Sequence, residues 1–208
     1  MKKILFQGDS ITSARRYPED MNFRGSGYAT MVSAQLGYER PNEFEFVNMG
    51  IGGDRITDLL ARMKCDFINL KPDYLSILIG INDAWLDVAQ NNGVSAERFE
   101  MFYNILIEDI KTALPEVKIM ILEPFVLKSE FNEEVWDAFR CETEKRAVAA
   151  KNVAEKNGLV FVPLMKTFDE MTKIAPNDYW SFDGIHPTAA GHEIIKRAWL
   201  EGFKTLEN

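Results

Sequence analysis

The 208-residue chain has only two histidines and two cysteines, and that shortage removes several kinds of chemistry at once. Cys65 and Cys141 form no C-x-x-C pair and have no histidine nearby, which argues against a zinc ligand set or a redox dithiol. They are expected to be free thiols, buried or half-buried on separate helices. His186 and His192 are too few for a histidine-rich metal centre, so neither metal nor cofactor is expected. Long apolar runs are also missing: no stretch approaches the ~20 residues that cross a bilayer. The opening Met1-Lys2-Lys3-Ile4-Leu5-Phe6 is interrupted by Gln7-Gly8-Asp9, well short of a signal-peptide core, and a cytoplasmic address is the expectation. There is no basic tract. With 24 Lys and Arg against 32 Asp and Glu, the formal charge of -8 disfavours nucleic acid and anionic membrane as partners and favours a neutral or cationic substrate. Neither G-x-S-x-G nor the phosphate loop G-x-x-x-x-G-K-[ST] occurs, and Gly50-Ile51-Gly52 lacks the third glycine of a dinucleotide loop because Arg55 stands there. No repeat, low-complexity run or linker divides the chain, so residues 1–208 read as one domain.

What is present is a regular alternation. Short apolar runs ending in turn residues predict strands over Lys3 to Gln7, Phe44 to Asn48, Asp73 to Ile79, Val117 to Leu122 and Val160 to Pro163. Helical periodicity fills the intervals at Tyr28 to Leu36, Ile56 to Asn69, Ser95 to Leu114 and Asn132 to Lys156, the last stopped by Gly158. A shorter helical piece is expected around Lys166 to Ile174, and a closing helix from about Thr188 to Phe203. Alternating strands and helices imply a parallel sheet covered on both faces, an α/β fold of the three-layer α/β/α sandwich type. In the flavodoxin-like strand order 2-1-3-4-5, ligands sit at the carboxyl ends of the first three strands, where the winding reverses.

Four stretches then supply complementary chemical roles: Gly8-Asp9-Ser10, Gly52-Gly53-Asp54, Gly80-Ile81-Asn82-Asp83 and Asp183-Gly184-Ile185-His186-Pro187. Ser10 follows the first strand and offers a hydroxyl nucleophile, which needs a base at neutral pH. His186 is the better base, because Pro187 holds it on a loop while His192 falls inside the closing helix and is expected to be structural. Asp183, three residues before His186, can accept the imidazole Nδ1–H and leave Nε2 facing Ser10, although Asp-Gly alone is equally a turn signal. The backbone N–H groups of Ser10 and Gly53 and the amide of Asn82 would stabilise an oxyanion. Gly53 would let substrate approach its N–H closely; the alternative is a plain turn glycine before an Asp54 helix cap. Asp9 and Asp83 are expected to stiffen their turns by accepting backbone N–H groups. Trp85, Trp180, Phe182 and Tyr28 fall near these loops and could offer apolar faces to a sugar ring, although for any single one of them packing is the stronger expectation. The connection from the fifth strand, about 20 residues at roughly 3.3 Å each, is long enough to return His186 over the first strand.

Taken in order, the four stretches resemble the signature blocks of the SGNH, or GDSL-type, hydrolase superfamily over essentially the whole chain. The resemblance implies a nucleophile at Ser10, oxyanion-hole residues at Gly53 and Asn82, and a carboxylate and base at Asp183 and His186. Longer phrases, Ser76-Ile77-Leu78-Ile79-Gly80-Ile81-Asn82-Asp83-Ala84-Trp85, Ile121-Leu122-Glu123-Pro124-Phe125 and His186-Pro187-Thr188-Ala189-Ala190-Gly191-His192, resemble bacterial intracellular acetylxylan esterases. That resemblance implies removal of acetyl groups from xylo-oligosaccharides and, as in some of those relatives, ring-like homo-oligomers. A tryptophan usually precedes the aspartate there; Phe182 stands in its place. The expectation is a serine esterase acting on short acyl esters of sugars. A lysophospholipase or acyl-thioesterase of the same superfamily, and a catalytically silent carbohydrate-binding protein, are the alternatives.

Overall fold

The computed structural model describes residues 1–20 and 22–207. The chain runs through β1 (Lys2–Gly8), α1 (Ser10–Ser13), α2 (Tyr28–Glu39), β2 (Phe44–Asn48), α3 (Ile56–Ala61), α4 (Met63–Asp66) and β3 (Tyr74–Leu78). It continues through α5 (Ile81–Gln90), α6 (Ala96–Ala113), β4 (Lys118–Leu122), α7 (Trp136–Asn157), β5 (Val160–Val162), α8 (Met165–Met171), α9 (Asn177–Trp180) and α10 (Ala189–Glu207). The five strands form one parallel sheet in the order β2-β1-β3-β4-β5, as the alternating pattern predicts. Among the described residues no helix is long and apolar enough to cross a membrane.

Side chains alternate across the pleat and both faces are covered, which is why most strand residues are apolar. Ile4, Phe6, Phe46, Leu78, Met120 and Leu122 face one side, where α2 and α10 cover them with Val32, Leu36, Ile195, Trp199 and Phe203. Leu5, Val47, Leu75, Ile77, Ile119 and Ile121 face the other, under Leu59 of α3, Phe99 and Leu106 of α6 and Val153 of α7. Each fully buried side chain of this size contributes roughly 1.5–3 kcal/mol relative to exposure, so either face alone is a substantial core. The register pairs Gly8 with Leu78 and Phe6 with Asn48, so β1, β2 and β3 end close to one level and their following loops share one edge.

Several elements depart from the sequence reading. The run from Gly80 reads as a loop, but α5 begins at Ile81, so Asn82 sits in a helical first turn. Gly80 makes the sharp exit from β3 possible at φ 126, and Ile81 and Ala84 anchor the helix in the core. The single helix expected over Ile56 to Asn69 is divided at Arg62 into α3 and α4, followed by a 3₁₀ turn at Ile68–Leu70. The helix expected from Asn132 starts at Trp136, after a 3₁₀ turn over Glu130–Val135. Gly158 does end α7, with φ 65 and its N–H donated to the Ala154 carbonyl. Cys65 and Cys141 are both exposed, not buried or half-buried. Helix α4 buries no residue, and the buried face of α7 runs through Phe139, Thr143, Arg146 and Ala150, which turns Cys141 outward.

Candidate active site

Ser10 opens α1 directly behind β1. A Cβ at Gly8 would collide with the Leu78 carbonyl oxygen, so only glycine lets β1 and β3 run this close at the turn. Asp9 caps the turn: one carboxylate oxygen accepts the Ile11 N–H at 2.9 Å, while the other is buried without a partner. Burial pushes the Asp9 carboxyl up to about 7, against the Ile11 N–H and the nearby His186, which favour its charged form.

The loop between α9 and α10 brings the other half of the site to Ser10. Ser181 and Pro187 form an antiparallel bridge, and the His186 carbonyl accepts both the Phe182 N–H at 2.9 Å and the Ser181 hydroxyl at 3.0 Å. Asp183 organises the turn inside that bridge. Its Oδ1 accepts the N–H groups of Ile185 (2.9 Å) and His186 (2.7 Å), and its Oδ2 lies 2.7 Å from His186 Nδ1. His186 Nε2 lies 2.9 Å from Ser10 Oγ, closing a serine–histidine–aspartate relay across 176 positions of sequence. A second loop braces the first: the Leu127 N–H donates to the Gly184 carbonyl at 2.8 Å, and the Ser129 hydroxyl donates to the Asp183 carbonyl at 2.5 Å.

The electrostatics of the two ionisable partners follow from these contacts. Partial burial alone would raise the Asp183 carboxyl, but the His186 ring and the two backbone N–H groups outweigh it and hold it below the ordinary 3.8. The bond to Asp183 raises the His186 imidazole above 6.5, opposed by partial burial and assisted by the charges of Asp183 and Asp9. An ionised Asp183 only accepts hydrogen bonds, so Nδ1 carries the proton and Nε2 is left to accept from the Ser10 hydroxyl.

Gly52-Gly53 passes beside Ser10; a Cβ on Gly52 would lie 3.7 Å from Ser10 Cβ. Gly53 has φ 87, and a Cβ there would meet nothing within 4 Å. The glycine is therefore required by its left-handed backbone and not by crowding. Asp54 does not cap α3, whose N-cap is Arg55; its carboxylate instead accepts from Arg62 Nε at 2.8 Å. Arg62 also reaches Gln7 Oε1 at 2.9 Å, tying this loop to the end of β1. Two adjacent residues of α5 clamp the same loop: Asn82 Nδ2 donates to the Asp54 carbonyl at 3.0 Å, and the buried Asp83 carboxyl accepts the Ile56 N–H at 3.1 Å. Asn82 thus keeps one amide hydrogen for a ligand while the other fixes its orientation.

The aromatic residues separate cleanly. Phe182 is 73% exposed and lines a cleft of about 540 Å³ together with Ser10, Ser13, Arg15, Ser26 and His186. Tyr28 is 0% exposed, edge-on to Phe6 at 5.9 Å with its hydroxyl 3.0 Å from Thr12 Oγ1; it offers no face to a sugar, which corrects the role expected for it. Trp85 packs against Phe131 and Phe139 at 4.9 and 5.0 Å, and Trp180 is buried with its Nε1 donating to the Ala175 carbonyl. His192 accepts the Tyr28 N–H on Nδ1 at 3.2 Å and so caps α2. Burial, with His186 nearby, lowers its pKa to about 4, which keeps it neutral. Ser13, Arg15 and Ser26 also line the cleft and were not singled out from the sequence; the signal was their place just after Ser10 and in the loop leading to α2.

A parallel α/β/α sandwich carrying this relay at the carboxyl edge of its sheet defines a hydrolase of carboxylic esters. Residues 6–194 match the GDSL-like Lipase/Acylhydrolase family, and the chain belongs to that family. It is 35% identical to an acetylxylan esterase of Geobacillus stearothermophilus over 100% of this chain and 97% of that protein. The solved structure of that organism's acetylxylan esterase Axe2 superposes with a TM-score of 0.86 at 30% identity, covering 97% of this chain and 93% of the other. LAE5, an α/β hydrolase from the metagenome of Lake Arreo in Spain, superposes with a TM-score of 0.87 at 30% identity over 99% and 96% of the two chains.

Proposed function

We propose that this protein removes acetyl groups from xylo-oligosaccharides or related small sugars by way of an acetyl-serine intermediate on Ser10. The observation that carries the reading is the unbroken relay from Ser10 Oγ through His186 to Asp183. Full-length similarity to an acetylxylan esterase supports the substrate class. Catalytic mutants of Axe2 at a serine and an aspartate involve two of the residue types in the relay.

Ser10 Oγ attacks the ester carbonyl as His186 Nε2 takes its proton, and Asp183 stabilises the resulting imidazolium. The tetrahedral oxyanion is met by the N–H groups of Ser10 and Gly53 and the free amide hydrogen of Asn82. Each such donor contributes about 10²–10³ in rate. The imidazolium then protonates the departing sugar oxygen. Water, deprotonated by the same nitrogen, attacks the acetyl-enzyme and releases acetate. The exposed Phe182 ring beside the nucleophile gives the sugar an apolar face. We place the enzyme in the cytoplasm, acting on short imported sugars without cofactor, and propose that its copies associate as homo-oligomers.

Acetate release followed by mass spectrometry tests this reading. Acetylated xylo-oligosaccharides should be turned over faster than acetylated amino sugars or lysophospholipids, and p-nitrophenyl acetate faster than longer esters. Activity that climbs with acyl length would assign the site to a lysophospholipase or thioesterase instead. The pH profile follows from the relay. The base acts in its neutral form, so kcat/KM should fall on acidification through an imidazole pKa raised above 6.5. Asp9 titrates near 7 and interacts with His186, so the acid limb belongs to the pair and should be broader than a single ionisation. A flat profile between pH 5 and pH 8 would remove His186 from the base role.

A further inference from the structure

One charged residue of the catalytic cleft has its backbone fixed by its neighbours, while its side chain makes no ion pair among the described residues. Arg15 lines the cleft with Ser10, Phe182 and His186, and it is exposed. Its backbone is left-handed at φ 63, immediately after Ala14 at φ 42. Two such non-glycine residues in succession are disfavoured and persist only where the surroundings impose them. Here they do. The Ala14 N–H donates to the Ser10 carbonyl at 2.8 Å, the Ser26 N–H to the Ala14 carbonyl at 2.8 Å, and the Arg16 N–H to the Ser13 carbonyl at 2.8 Å. Arg16 Nε then ties the turn to the Gly50 carbonyl at 2.7 Å. The Arg15 guanidinium itself makes no ion pair with any described residue.

We infer that Arg15 binds a carboxylate on the substrate, so that the enzyme prefers acetylated oligosaccharides carrying a uronic acid to neutral ones. The inference rests on the esterase reading and narrows it. A guanidinium presents a planar fork of donors that fits a carboxylate in a bidentate pair, and this one is carried on a turn whose backbone is fixed on both sides. The formal charge of -8 pointed to a neutral or cationic substrate. Binding answers to the local field, however: the charge of Asp183 is offset by His186 and two backbone N–H groups, and burial pushes the Asp9 carboxyl toward its neutral form.

The test compares acetate release from acetylated xylotriose and from the same trisaccharide bearing a glucuronic acid, for the wild type, Arg15→Gln and Arg15→Lys, with p-nitrophenyl acetate as a reference for the chemistry. The wild type should favour the acidic substrate in kcat/KM. Arg15→Gln should lower that value roughly tenfold through KM, leaving the neutral trisaccharide and p-nitrophenyl acetate within about twofold. Arg15→Lys should recover part of the preference, because the charge remains and the fork does not. Equal turnover of the two trisaccharides by the wild type, or an equal loss on both in Arg15→Gln, overturns the assignment while leaving the esterase intact. Absence of p-nitrophenyl acetate turnover in the wild type overturns the esterase reading, and this inference with it.

Discussion

Ser10→Ala is expected to lower kcat for p-nitrophenyl acetate by at least about 10⁴-fold while leaving the protein folded, because residues acting as one catalytic unit fail together when any is removed. The size of the expected loss comes from the geometry. Ser10 Oγ lies 2.9 Å from the only ring nitrogen that Asp183 leaves free, and no other hydroxyl is bonded to His186 Nε2 among the described residues. The cost to the fold should be small. A single hydroxyl bond in a half-buried position contributes about 0.5–1.5 kcal/mol, which for a chain of this size corresponds to a few degrees in Tm. Steady-state kinetics beside a melting curve would check both halves, and turnover within tenfold of wild type would remove Ser10 from the chemistry.

Asp183→Asn should be nearly as damaging, by about 10⁴-fold in kcat, although the two side chains have almost the same shape. The carbonyl oxygen of the introduced amide can still accept the Ile185 and His186 N–H groups that build the turn, so the loop should keep its form. The other half of the amide becomes a donor pointing at His186 Nδ1. That nitrogen must then accept, the ring proton moves to Nε2, and the Ser10 hydroxyl faces a donor where it needs a base. The imidazole also loses the contact that most raises its pKa. A titration of the His186 ring by NMR should therefore show its pKa falling alongside the kinetic defect. A variant that retains a tenth of wild-type kcat, or an unshifted imidazole, would show that Asp183 only shapes the turn.

The parts of this protein that were legible in its sequence are those encoded locally. Runs such as Tyr74 to Ile79, apolar at every position but Ser76, follow from a sheet covered on both faces. Gly158 stops α7 by a backbone preference of its own residue type. Helix α5 was missed because Gly-Ile-Asn-Asp is turn chemistry by composition, although Ile81, Ala84 and Trp85 recur at helical spacing and turn one face to the core. Burial also separated the aromatics. Tyr28 and Phe182 are alike as residue types, yet one is sealed beneath α10 and the other stands open at the cleft, a difference set by which helix packs over which loop.

The strands and most of the helices, the parallel winding and the stock of reactive groups were therefore decided by the sequence alone, since propensity, periodicity and side-chain chemistry act within a few residues. The tertiary structure decided the 2.9 Å meeting of Ser10 with His186, the clamping of Asn82 onto the Gly53 loop, and the placing of Arg15 in the cleft. Those distances join segments far apart in the chain. They depend on how whole elements pack against the sheet, which no local pattern encodes.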